Sequence, residues 1–285
     1  MVVNFRNRDG WRKLLPGIMI VGILAGCAGF NGRNMSAGVP ELRPGVLAGY
    51  LSAKGLPNSL ALLPPPPATG SAALALDEEI SRRSFALRDT PRWLIAASDA
   101  DLSFPHAAGS FSCALNATVS EADTPRLYLL LRRTMTDLGL STHAAKNHYK
   151  RTRPFVENKE PICTPNKKEE LEHNGSYPSG HTTIGWGWAL ILAEISPEQT
   201  DAILRRGLAF GESRNACNVH WHSDVVQGHT IAAATVARLH ADPAFRADLE
   251  AAGAELAAVR KQGLKPTRDC GAEAAALAIQ PSLAQ

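Results

Sequence analysis

The sequence predicts an all-α, single-domain fold. Three observations carry that reading. Apolar residues recur at helical spacing in several separate stretches, and two proline-led capping signals open helices. No run alternates apolar and polar residues as a half-buried strand would. The 285 residues are 45% hydrophobic and 20% charged, which supplies ample material for a core. There is no internal repeat, and no linker follows position 60.

Residues 1–26 stand apart as a signal peptide. Arg6, Arg8, Arg12 and Lys13 precede the 13 uncharged residues "LLPGIMIVGILAG", too short a run to span a bilayer and right for a secretory leader. It ends in Leu24-Ala25-Gly26-Cys27, which resembles a bacterial lipobox, so Cys27 is the candidate lipidation site. The expectation is an exported protein of the periplasm or cell envelope, anchored at Cys27. Ordinary cleavage after Ala28, giving a soluble product, is the alternative. The leader holds four of the 30 basic residues and one of the 27 acidic ones, so the remainder is neutral. The net charge of +3 therefore gives no support to nucleic-acid binding.

Residues 27–60 are rich in Gly, Pro and Asn and read as an extended arm, and "LPPPP" at 63–67 reads as polyproline II. A helical domain is expected over 61–262. Leu127, Leu130, Leu131, Met135 and Leu138 share one helix face within 121–140. Ile184, Trp188, Ile191 and Leu192 do the same after a loop of small residues. "SPEQ" at 196–199 offers Ser196 as N-cap, Pro197 at the first helical position and Gln199 to close a capping box. "DPAF" at 242–245 repeats the signal, with Leu249, Leu256 and Val259 on the face that follows. The Ala-rich tail, 263–285, is weakly specified.

Three clusters carry chemistry. "KNHYKRTRP" puts Lys146, Lys150, Arg151 and Arg153 within eight residues, and Pro154 forces Arg153 towards extended geometry and is expected to end a helix. "HNGSYPSGHT" is a tight loop opening a helix, where backbone N–H groups can meet an anion. "ESRNACNVHWHSDV" adds Arg214, His220 and Asp224. The four-residue spacing of the last two would place them on one helical face, where a carboxylate can fix the histidine tautomer. Lys, two Arg, a small-residue loop, two His and one Asp together suit an oxyanion of phosphate type.

Lys146, six residues and Arg153-Pro154, then Pro178-Ser179-Gly180-His181, then Ser213-Arg214, five residues, His220, three residues and Asp224 resemble the three-part signature of the type 2 phosphatidic acid phosphatase superfamily. That superfamily also holds the vanadium haloperoxidases. "LALLPPPP", "NGSYPSGHT" and "HWHSDV" are similar to its class A bacterial non-specific acid phosphatases, with His222 where that group has Gln. The likeness runs from about Leu60 to about Val259. It implies the helical bundle of that superfamily and a metal-independent phosphomonoesterase of broad range. His220 would be the nucleophile, Asp224 its partner and His181 the general acid. Lys146, Arg153, Ser179, Gly180 and Arg214 would bind phosphate. No cofactor is implied. Phosphotransfer to alcohols and homo-oligomers are also family traits. A vanadium haloperoxidase, a metal hydrolase using His220, His222 and Asp224, and a non-catalytic phosphate-binding lipoprotein are the rival readings.

The four cysteines besides Cys27 suit two disulfides in an exported chain, and without a CxxC pair they do not suit zinc. Cys163 and Cys217 lie among the motifs that must converge, so they pair, leaving Cys113 for Cys270. His106, His143, His148, His173, His229 and His240 show no metal spacing. Trp186, Trp188 and Trp221 read as core or pocket wall.

Overall fold

The computed structural model describes residues 38–279. The leader over 1–26, the candidate lipidation site Cys27 and the last residues of the tail lie outside the described residues. The chain enters through a small antiparallel hairpin, β1 (Glu41–Arg43) and β2 (Val46–Leu47). The arm is therefore not simply extended. Pro44 and Gly45 make the turn, and Gly45 takes φ +79°, a conformation that only glycine adopts without strain. After the hairpin, Tyr50 and Leu51 donate their N–H groups to Asp137 at 2.8 and 3.0 Å, which ties the arm to the helical body.

The rest is helical: α1 (Ser59–Leu62), α2 (Ala72–Ser84), α3 (Pro91–Asp99), α4 (Ser112–Leu115), α5 (Pro125–Ser141), α6 (His143–Tyr149), α7 (Pro154–Asn158), α8 (Lys168–Glu172), α9 (Gly180–Ile195), α10 (Thr200–Ala216), α11 (His222–Leu239), α12 (Pro243–Lys261) and α13 (Cys270–Leu277). This is the expected all-α fold. α9 is apolar on nearly every side, and such a helix has to be enclosed. α5, α10, α11 and α12 pack around it. Trp188, Ile191 and Leu192 of α9 are fully buried with Leu130, Leu131 and Leu138 of α5, Phe210 of α10 and Leu256 of α12. Each such side chain stabilises the fold by roughly 1.5–3 kcal/mol. Trp188 satisfies its indole N–H on the Leu131 carbonyl at 3.2 Å. No helix among the described residues is long and apolar enough to cross a membrane.

Local signals fared differently where tertiary contacts competed with them. Asp242 caps α12 as expected, accepting from the N–H groups of Ala244 and Phe245. The capping box at Ser196 does not form. Its hydroxyl accepts from Arg260 at 2.6 Å and donates to Glu198 at 3.2 Å, and a 3-10 turn over Pro197–Gln199 leads into α10 instead. Pro154 ends no helix. α6 already stops at Lys150, which takes φ +45°, and Pro154 sits at the first position of α7. Arg153 before it is extended, as expected (φ −82°, ψ 152°).

The tail also differs from expectation. Asp269 caps α13, and Glu273 reaches the buried guanidinium of Arg206 at 3.5 Å and Arg268 at 3.2 Å. Both expected disulfides are present, Cys113–Cys270 and Cys163–Cys217. The first tethers α13, and the second clamps the segment before the small-residue loop to the end of α10. They close sequence separations of 157 and 54 residues. Loop-closure entropy makes each worth roughly 4–5 kcal/mol.

Candidate active site

Four chain segments meet at one end of α9. Ser179 is the N-cap of that helix, and its hydroxyl oxygen accepts from the Thr182 N–H at 3.3 Å and the Thr182 hydroxyl at 2.9 Å. The first N–H groups of α9, beginning at Gly180, have no partner within the helix and point outward with the positive end of its dipole. Gly228 lets α11 come close to this loop. A methyl group there would lie 2.9 Å from the Ser179 carbonyl oxygen.

Lys146, on α6, holds the loop from beneath. Its ammonium donates to the carbonyls of Gly175 at 2.8 Å, Pro178 at 2.9 Å and Ser176 at 3.4 Å. Arg153 donates through Nε to the Leu171 and Asn174 carbonyls at 2.9 and 3.0 Å, and through Nη1 to the Val219 carbonyl at 2.8 Å. Arg214 comes from the last turn of α10. It is 1% exposed, and its Nε and Nη1 make no hydrogen bond among the described residues. A buried guanidinium with orphaned donors is costly unless an acceptor joins it.

His220 lies in the link between α10 and α11, not on a helix with Asp224. Asn218 takes φ +59° to turn the chain there, and α11 begins only at His222. The expected contact is made by a different route. Asp224, in the first turn of α11, folds back so that Oδ2 accepts from the Trp221 N–H at 2.9 Å and lies 3.2 Å from His220 Nδ1. The His220 Nδ1–H therefore points at a carboxylate, which leaves the Nε2 lone pair on the other side, 3.0 Å from Arg153 Nη1. His181 lies one residue into α9. Its Nε2 is 3.1 Å from the Ala100 carbonyl, which only accepts, so Nε2 carries hydrogen and Nδ1 is the nitrogen left free.

Burial sets the electrostatics. It pushes Lys146 down to about 7, with the Arg153 charge adding to the effect and Asp224 opposing it. Burial lowers Arg214 to about 9, again with Arg153 adding. Arg153 falls to about 10 through burial, against the pull of Asp224. His220 is held well below its ordinary value by burial, then by Arg153, Lys146 and Arg214. His181 is held well below it by burial and then Arg214. Burial raises Asp224, and Arg151 is the main force opposing that. Every basic group is thus short of negative charge, and an anion set among them would relieve the strain on all.

All eight expected site residues fall into this one cluster, His220, His181, Asp224, Lys146, Arg153, Ser179, Gly180 and Arg214. His222 does not join it: it is half-buried at the start of α11 beside His229. No group of three or more His, Cys, Asp or Glu among the described residues is placed to hold a metal ion. Three contributors had no assignment in the sequence. Ala100 supplies a carbonyl, which leaves no trace in residue type. Asp77 reaches the site from α2, far away in the chain. Arg151 stood in the basic cluster, but nothing in its spacing told it from its neighbours.

The helical fold gathers buried cations, a helix N-terminus and a histidine–carboxylate pair around one point, a set of groups whose chemistry suits an oxyanion. A family model described as the PAP2 superfamily matches residues 127–247, a span that contains all eight residues. The chain is 43% identical over 213 residues to a non-specific acid phosphatase of Providencia stuartii, covering 74% of this chain and 86% of that one. It is 42% identical to an acid phosphatase of Zymomonas mobilis (73% and 79% covered) and 42% identical to a non-specific acid phosphatase of Salmonella typhimurium (70% and 80%). The chain belongs to the PAP2 superfamily.

Proposed function

We propose that this chain is an acid phosphatase that hydrolyses phosphomonoesters without a metal, through a phosphohistidine on His220. Its family and its relatives named as acid phosphatases support the phosphomonoesterase. The observation that carries the mechanism is the buried triad of Lys146, Arg153 and Arg214, each with a depressed pKa, around a histidine whose Nε2 lone pair meets Arg153 and whose other nitrogen is held by a carboxylate. Such cations can do for a phosphoryl group what metal ions do elsewhere, neutralising charge on its equatorial oxygens.

In the first step the His220 Nε2 lone pair attacks phosphorus. The bond to the leaving oxygen breaks, and His181, in its acid form with hydrogen on both ring nitrogens, gives that oxygen its Nδ1 proton and becomes neutral with hydrogen on Nε2. Asp224 stabilises the positive imidazole through the Nδ1–H bond. In the second step water attacks phosphorus while His181 takes a proton from it. The P–N bond breaks, inorganic phosphate leaves, and both histidines return to their starting states. An alcohol in place of that water would give phosphotransfer.

Turnover is expected to survive EDTA unchanged, and vanadate is expected to inhibit competitively because it adopts the geometry of the transition state. Loss of activity on chelation with recovery on adding zinc or magnesium would refute the metal-free reading, and non-competitive inhibition would refute the shared site.

We place the enzyme in the cell envelope, anchored by lipid at Cys27. The support is the charged leader and its "LAGC" end. Mass spectrometry of the mature protein is expected to find a lipidated Cys27 at its N-terminus, and an unmodified terminus beyond Cys27 would mean ordinary secretion.

A further inference from the structure

We infer that Arg151 and Asp77 are positioning residues for His220, clamping Asp224 from the side away from the histidine. The consequence for turnover rests on the proposed phosphatase reading; the geometry does not.

Arg151 lies in the link between α6 and α7, two residues before Arg153, yet it points elsewhere. Its Nη1 donates to Asp224 Oδ1 at 2.7 Å and to the Ser223 hydroxyl at 2.7 Å, while Nη2 donates to Asp77 Oδ2 at 2.7 Å. Asp77, on α2, is 1% exposed, and besides Arg151 it accepts from the Ser223 N–H at 2.7 Å and the Ser223 hydroxyl at 2.6 Å. Its hold on α11 is therefore double, through the backbone of Ser223 and through the guanidinium. Asp224 is fully buried, and its two oxygens divide the work. Oδ1 is taken by Arg151, and Oδ2 by the Trp221 N–H and His220. The carboxylate can turn only by breaking the Arg151 bond, so the outer clamp fixes which oxygen faces His220.

The arrangement is a chain of alternating charge, Asp77, Arg151, Asp224 and then the imidazole. Other charged or titratable groups act on its inner members. Lys146 of α6 also acts on Asp224. Glu157 of α7 and Tyr177 of the small-residue loop feel Arg151, and Tyr177 feels Asp224 as well. The Trp221 ring lies 5.4 Å from the Arg151 guanidinium carbon. Of these groups only Arg151 is joined both to Asp224 and to a second element through one planar fork, a geometry that lysine cannot copy.

Loss of Arg151 acts in one direction on the nucleophile. Without Arg151, Asp224 holds its proton more tightly, and while ionised it directs more of its charge at His220. Both effects delay formation of the neutral imidazole paired with a carboxylate until higher pH. A carboxylate beside an arginine is typically lowered by about 1–3 units, so a shift of about one unit is the expected scale.

The test compares wild type, Arg151→Gln, Arg151→Lys, Asp77→Asn and Ser223→Ala in two readouts. The first is the ring nitrogen resonances of His220, identified by their loss in His220→Ala, across pH. Arg151→Gln is expected to raise the pH at which His220 becomes neutral by about one unit and to lower the fraction carrying hydrogen on Nδ1. Arg151→Lys should recover much of the titration shift but less of the tautomer preference. Asp77→Asn and Ser223→Ala, which keep Arg151, should move both in the same direction by less. The second readout is p-nitrophenyl phosphate turnover. In Arg151→Gln, kcat should fall about 10- to 100-fold, most steeply on the acid side, with KM nearly unchanged because Arg151 touches no phosphate site.

Identical His220 titration and tautomer in wild type and Arg151→Gln would overturn the inference, as would a kcat loss equal at every pH. If Arg151→Gln does not fold, unchanged His220 resonances in both Ser223→Ala and Asp77→Asn would overturn it. If wild type turns over no phosphomonoester while the resonances shift as expected, the clamp stands and the phosphatase reading fails.

Discussion

His220→Ala is expected to abolish turnover, lowering kcat by about 10⁴-fold or more while the protein stays folded. The size follows from the chemistry. Nothing else in the cluster offers a neutral nitrogen on a ring backed by a carboxylate, since the other nitrogen of His181 rests on the Ala100 carbonyl. Lys146 spends its donors on three carbonyls, and the Ser179 hydroxyl oxygen caps α9 and is occupied by Thr182. Truncation leaves the Asp224 to Arg151 bond and the Trp221 N–H bond in place, so α11 keeps its start. Vanadate should still bind, because Lys146, Arg153, Arg214 and the N-terminus of α9 remain. Steady-state kinetics with a vanadate titration measures both, and wild-type turnover in this variant would remove His220 from the mechanism.

The second large effect is expected at His181 and depends on the leaving group. An alkyl phosphate needs a proton on its departing oxygen, so His181→Ala should slow it by about 10²–10⁴-fold. p-Nitrophenolate is a weak base and leaves without help, so its ester should lose far less. The pH dependence has a definite sign. Burial and Arg214 hold His181 well below 6.5, so its acid form is lost as pH rises through that lowered value. For an alkyl phosphate, kcat/KM should therefore fall from the acid side upward in wild type, and this limb should vanish in His181→Ala. Equal losses for aryl and alkyl esters would contradict the assignment.

Much of this was legible in the chain. Helix-spaced Leu127, Leu130, Leu131 and Leu138 became the buried face of α5, and the apolar run after Gly180 became the central helix. Small residues before a helix marked the tight loop that opens α9, because the reason for them is local. The cations at 146, 153 and 214 were visible by type, and their convergence came from the family likeness, not from spacing. What was not legible was settled by tertiary contact. Arg260 takes the hydroxyl that would have capped a helix at Ser196, and α13 forms where a disulfide and Glu273 give it partners. The four-residue interval from His220 to Asp224 pointed to the right contact for a wrong reason, since a turn and a helix start bring them together, not one helical face. Asp77 was beyond reach because its role exists only once α2 packs on α11.

The covalent intermediate is the centre of this account. The most direct measurement is to mix the purified enzyme with a substrate carrying labelled phosphate, quench within turnover time in alkali, which preserves phosphohistidine, and map the label by peptide analysis. The expected result is label on the peptide containing His220, absent in His220→Ala and absent after an acid quench. Label on Ser179 or Ser213, or a His220→Ala enzyme that still acquires label, would contradict it.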